Sequence, residues 1–324
     1  MDGASENNPV NDLLKEEEHL KANRGNWEAH WQQLADLMLP RRNDFQATQS
    51  RGAERRAKIF DSTPCRAVTR FASGMHNMMT PSAVPWFILK PRFRPLEQNR
   101  QIQLWLEEVQ IQVMETLSRP QSNFHPSAYE YYTDLGTFGT AVMYIEDVPG
   151  EGPLFRHFGL NDCLLASNKN GFIDTCFRNY KQTAKDLFES YPVERLPESV
   201  LQNLENGKIY EEYDMIHVVK PYHSVKPGPL LEIQAPFVSL TICKKERMLM
   251  DINGFEDFPY VSSRWNRNPL EIYGRGPGVD ALPDIRMLNE MEKTFLKSVQ
   301  KAVSPPLMVP DDGFLAPLRT TPDA

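Results

Sequence analysis

Apolar residues recur at helical spacing near both ends of the chain and alternate in its middle, and this division predicts the fold. Over 10–39 the positions Leu13, Leu14, Leu20, Trp27, Trp31, Leu34, Leu37 and Met38 are in helical phase, with Gly25 and Asn26 predicting a break into two helices and Pro40 the end. A helix is predicted over 63–79, with Ala67, Phe71, Met75 and Met78 in phase, Ser62 or Thr63 as cap, and Pro81 and Pro85 beyond it. Residues 86–89 read as a short buried strand. Helices follow over 104–117 and 126–138, the second ending among Gly136 and Gly139. Alternation then takes over, predicting strands at 140–146, 153–160, 163–166, 172–180, 208–220, 236–245, 247–252 and 260–265, with a hairpin turn at Asn170-Gly171. Only 183–191 and 197–205 interrupt, as short helices. Helices first and a strand meander afterwards make an α+β plan, since alternating βαβ units are missing.

The stretch 264–303 organises the rest. A strand ending in Arg264 and Trp265 meets a loop carrying Pro269, Tyr273, Gly274, Arg275, Gly276, Pro277 and Gly278, which opens into a long helix over 279–303. Asp280 is the expected cap, Pro283 is expected within the first turn, and Pro305 and Pro306 stop the helix. Trp265 is expected to be buried at the junction. Ile285, Leu288, Met291, Phe295, Val299 and Ala302 form one apolar stripe, opposite Arg286, Lys293, Lys297 and Lys301. The few residues beyond the helix cannot cover that stripe, so part of Leu288, Met291, Phe295 and Val299 is expected to be exposed and prone to associate. The basic side reads either as a solvated face or as one that meets an anion.

Composition narrows the function. With 324 residues the chain can bury a sizeable core, and a net charge of -7 argues against coating nucleic acid with the whole surface while permitting a local basic strip. No apolar run approaches the roughly 18 residues of a membrane span, and residues 1–21 lack the basic and apolar regions of a secretion signal. Four widely spaced cysteines and seven scattered histidines give no metal-ligand or disulfide framework and suit a reducing compartment. The polar run 41–58, rich in cations, reads as a mobile or partner-ordered loop, with a weakly signalled phosphate contact. No nucleotide loop, nucleophile elbow or zinc-protease signature occurs. The one candidate phosphate cradle is GRGPG at 274–278, ahead of a helix N-terminus, though it lacks the Lys-Ser/Thr of a nucleotide loop and a permissive turn explains it equally.

Several segments resemble the head-to-tail connector, or portal, proteins of short-tailed tailed phages of the podovirus type. They are NWEAHWQQLADLMLPRRNDF (26–45), FDSTPCRAVTRFASGMHNMMTPSAVPWFIL (60–89), LGTFGTAVMYIE (135–146), RWNRNPLEIYGRGPGVDALPDIRMLN (264–289) and VSPPLMVPDDG (303–313). Nearly the whole chain is spanned, in the family's order.

The resemblance implies a structural subunit of a dodecameric ring at a capsid vertex, the channel for genome packaging and ejection and the head–tail attachment point. It implies a virion component assembled in the host cytoplasm, with no catalytic site, no cofactor and no membrane. The implied partners are further copies of the chain, major capsid and scaffolding proteins, the terminase large subunit, tail adaptor proteins, and double-stranded DNA contacted without sequence preference. On this plan 1–278 is an α+β wing, 279–303 the outgoing stem helix and 304–324 the start of a clip, with the chain truncated before a returning stem helix and crown. Arg286, Lys293, Lys297 and Lys301 become candidates for the channel wall. The alternative is a nucleotide- or nucleic-acid-processing enzyme built on 274–278.

Overall fold

The first helix, α1 (Pro9–Met38), runs straight through Gly25 without the expected break. A mid-helix glycine costs about 1 kcal/mol, and its neighbours outweigh that. The buried Arg24 guanidinium donates to the carbonyls of Leu160 and Cys163, both at 2.7 Å, and pairs with Glu28. Trp31, one turn beyond Trp27, is fully buried in the largest core cluster, so both Trp rings pack the core as their one-turn spacing suggests. The computed structural model describes residues 9–42, 44–46, 52–55, 57–224 and 235–303.

The next helices are α2 (Thr63–Met79), α3 (Arg100–Ser118) and α4 (Phe124–Phe138). α2 begins and ends where the sequence places it, with Pro64 in its first turn, where a missing N–H is harmless. The strand expected at 86–89 does not form, and Trp86 and Ile88 are exposed. Prolines at 81, 85 and 91 strip the segment of ladder donors, and Trp86 instead stacks on Phe124 with ring centroids 6.1 Å apart.

Among the described residues eight strands make two antiparallel sheets. β1 (Thr140–Val148), β2 (Gly152–Phe158) and β8 (Tyr260–Arg264) are ordered β2-β1-β8, and β1 pairs Thr140 with Arg264 and Val142 with Phe158. β3 (Cys163–Ser167), β4 (Ile173–Thr183), β5 (Glu212–Pro221), β6 (Phe237–Cys243) and β7 (Met248–Phe255) form a meander in chain order. The Asn170-Gly171 turn joins β3 to β4, held by Asn168, whose Oδ1 accepts from the N–H groups of Asn170 and Phe172. Between β4 and β5 lie α5 (Ala184–Ser190) and α6 (Glu198–Glu205), and α7 (Pro277–Val303) closes the order. The plan is α+β, with a long C-terminal helix.

Two polar groups lock the layers. His217 of β5 lies 2.6 Å from the Tyr260 hydroxyl of β8 and 2.8 Å from the Ser239 hydroxyl of β6, joining the two sheets. Burial, helped by the nearby Arg178 charge, pushes its pKa down from 6.5 to about 4. Asp134 of α4 is fully buried, accepts from Arg42 at 2.5 Å, and has His157 of β2 at 2.9 Å. Burial alone would raise its carboxyl, but the Arg42 charge and His157 more than offset this and hold it below the ordinary 3.8.

These shifts set an acid limit. As pH falls from 6.5 to about 4 the unfolded chain takes up a proton that folded His217 refuses, so stability falls by about 3 kcal/mol over that window. Below 3.8 a further loss follows as Asp134 protonates, because its stabilising charge is complete only above that value. Urea titrations across this range should show both steps, and His217→Gln should flatten the upper one. An unchanged slope in that variant would assign the loss elsewhere.

Candidate functional site

The root of α7 is built where the loop after β8 folds back on the α4–β1 turn. Trp265 N–H donates to the Gly139 carbonyl at 2.9 Å, Asn266 and Arg275 exchange backbone bonds of 3.2 and 2.7 Å, and Gly274 N–H donates to Thr140 Oγ1 at 2.8 Å. Gly139 ends α4 at φ +84°, and a Cβ there would stand 2.1 Å from the Gly276 nitrogen. A Cβ on Gly276 would in turn stand 2.7 Å from the Leu135 carbonyl oxygen, and one on Gly278 the same distance from that of Thr137. Two backbones thus touch with no room for side chains.

This geometry decides against a phosphate cradle at 274–278. The loop faces the carbonyl end of α4, which carries partial negative charge, and Gly274, Gly276 and Gly278 are buried against it. An anion would meet oxygen atoms there. The enzyme alternative therefore loses the site it was built on, and among the described residues no group of three or more His, Cys, Asp or Glu converges as a metal site requires.

Tyr273 seals the junction. Its ring meets Trp31 edge-on at 4.9 Å and Trp27 at 5.9 Å, and its hydroxyl accepts from Leu165 N–H at 3.2 Å. Arg275 lies over the Trp27 ring at 4.8 Å and pairs with Glu271 at 2.9 Å. Arg264 donates to the carbonyls of Gly171 and Ile272 at 2.8 and 3.3 Å, tying the β3–β4 turn to the loop. Trp265 departs from expectation. It is 40% exposed, just beyond the edge strand β8, with its ring 5.7 Å from that of Phe71 of α2.

α7 starts at Pro277, so Asp280 sits inside its first turn and not at the cap, and Pro283 falls in the second turn, where it removes the donor for the Val279 carbonyl. Leu282 is buried and Ile285 packs on the core. From Leu288 onward the stripe leaves the body: Met291 and Val299 are exposed, and Phe295 is 64% so. On the opposite side Arg286, Lys297 and Lys301 are exposed, whereas Lys293 is drawn to its own chain, 2.6 Å from Glu290 and over the Phe60 ring.

Asn289 lies between these faces, and the sequence did not reveal its role. Its Oδ1 accepts from Phe60 and Asp61 N–H groups at 2.8 and 3.3 Å, and its Nδ2 donates to the Lys58 carbonyl at 3.1 Å. Lys58 also reaches Asp36 of α1 at 2.6 Å. Segment 57–61, which begins at the end of the run read as mobile or partner-ordered, is thereby pinned to α7. Gly139 was read only as a helix end and Thr140 only as a strand start, and their part in the junction was missed; the signal was a glycine directly between a helical and an alternating pattern. No helix among the described residues is long and apolar enough to cross a membrane, and the expected clip residues 304–324 lie outside the described ones.

The junction orders its residues by burial. Tyr273→Ala should cost about 3–5 kcal/mol in urea unfolding, as for a buried aromatic, whereas half-exposed Trp265→Ala should cost only about 1–2 kcal/mol. Gly139→Ala adds a disallowed φ to a backbone clash and should cost about 3 kcal/mol or more. Equal losses at Tyr273 and Trp265 would contradict this order.

Relatives agree with the geometry. The chain is 28% identical over 303 residues to the portal protein of Salmonella phage epsilon15, covering 92% of this chain and 54% of that protein. It is 25% identical over 316 residues to a probable portal protein of Bordetella phage BPP-1, covering 96% and 56%. The chain spans about half the length of the curated relatives it matches. The family model for the bacteriophage head to tail connecting protein matches residues 10–323, and the chain belongs to that family.

Proposed function

We propose that this chain supplies the wing, 1–278, and the outgoing stem helix, 279–303, of a phage portal subunit, with a clip beginning at 304. Copies form a dodecameric ring at the capsid vertex, through which double-stranded DNA is packaged and ejected and to which the tail attaches. The ring is a virion component assembled in the host cytoplasm. It meets capsid and scaffolding proteins around its rim, the terminase large subunit during packaging and tail adaptors afterwards. The subunit is structural and performs no catalysis.

The observation that carries this reading is the free half of α7. A helix anchored by Leu282 and Ile285 and then bare at Met291, Phe295 and Val299 needs another surface to cover it. The opposite face offers Arg286, Lys297 and Lys301, whose side chains make no ion pair among the described residues. In a ring these become tiers of positive charge that contact phosphates without reading bases. Lys293, held by Glu290 and Phe60, contributes less than its spacing suggests.

Full-length protein tests both faces. Met291→Ser with Phe295→Ser should raise the concentration needed for assembly at least about tenfold, since each buried side chain is worth about 1.5–3 kcal/mol. Sedimentation that shows the same species with and without these changes would overturn the role of the stripe. Lys297→Glu with Lys301→Glu should leave rings intact in the microscope but reduce DNA packaging or retention, and the contribution of these lysines should fade as salt rises. Failure of those rings to assemble would place the lysines at the subunit interface instead.

A further inference from the structure

α3 is the least covered element of the body. It has no buried residue, and its outer face carries Leu104, Trp105 and Ile111, all exposed, with Trp105 at 63%. On the helical wheel Glu108 and Glu115 stand in the middle of that face, seven residues and about 10 Å apart along the axis. Beyond Arg100 the helix has no cation. Acidic groups ringed by large apolar side chains select a partner that is basic and has room for those side chains.

The chain itself presents such a surface. α2 contains Arg66 and Arg70 and no acid. Both arginines are exposed, and their side chains make no hydrogen bond or ion pair among the described residues. Beside them Ala67 and Gly74 keep the helix surface low, and the space beside Gly74 is open. Both α2 and α3 lean on α4, and no described residue covers their outer faces.

We infer that the outer face of α3 receives α2 of a neighbouring copy, with Glu108 and Glu115 opposite Arg66 and Arg70, and Trp105 and Leu104 over the low surface at Ala67 and Gly74. Because the two surfaces differ, the contact is head-to-tail and propagates from copy to copy, closing when the rotation closes. This rests on the ring reading above and names the wing surfaces that serve it. Charge fixes the register and apolar area supplies affinity, the usual division at an interface.

Charge reversal in the full-length protein tests it. One variant carries Glu108→Arg and Glu115→Arg, the other Arg66→Glu and Arg70→Glu; all four sites are exposed, and circular dichroism with a thermal midpoint verifies folding. Each variant alone sets like charges against each other and should need at least about tenfold more protein to assemble than the wild type. An equal mixture should recover, because every contact then joins unlike copies, and a single chain with all four changes should recover without mixing. Should either variant assemble alone as readily as the wild type, or should neither the mixture nor the fourfold variant recover, the pairing is overturned. Wild-type protein that forms no ring under the same conditions would instead overturn the ring reading itself.

Discussion

Everything at the C-terminal end of the molecule depends on one steric fact: the backbone at Gly139 and the backbone at Gly276 approach until no side chain fits between them. The contact places the carbonyl end of α4 against the start of α7, so the positive end of one helix dipole meets the negative end of another. The core around Trp31, Tyr273 and Phe138 closes beside this contact, and the loop from β8 is short enough to be fixed by it. A phosphate loop and a helix junction draw on the same glycines. Their use here is decided by what faces them, which is oxygen.

Helix and strand positions were largely legible because period and punctuation agree. α2 has proline at its start, and the Asn170-Gly171 turn needs a permissive backbone, with Gly171 at φ +80°. Errors arose where a distant partner decided the outcome. Gly25 suggests a break until Arg24 is seen to cap carbonyls across the core, well over a hundred residues away. Residues 86–89 have the composition of a strand but no neighbour to pair with. Trp265 stands one residue beyond the strand it was expected to end, and how far it is covered depends on the sheet order, which local pattern does not encode.

The candidate site divides in the same way. Its loop and its two-faced helix follow from spacing alone, and so does the exposure of the stripe beyond Leu288. Asn289 does not, because its partners lie in 57–61, far away in the chain, and neither does the Phe60 ring that meets Lys293. The exposed faces of α2 and α3 were read as ordinary amphipathic helices. What marks them is the absence of covering residues, which no single sequence displays.

Pro283 gives α7 a mechanical character of its own. It falls after the turns fixed to α4 and before those that stand clear of the body. With the Val279 carbonyl lacking its helical donor and the proline ring crowding that turn, this is where the rod bends at least cost. Ile285 and Asn289 hold the next turns to the body, so only the stretch beyond them takes its direction from whatever packs against it. A weak point placed there lets the exposed end of α7 shift without disturbing the glycine contact at its root.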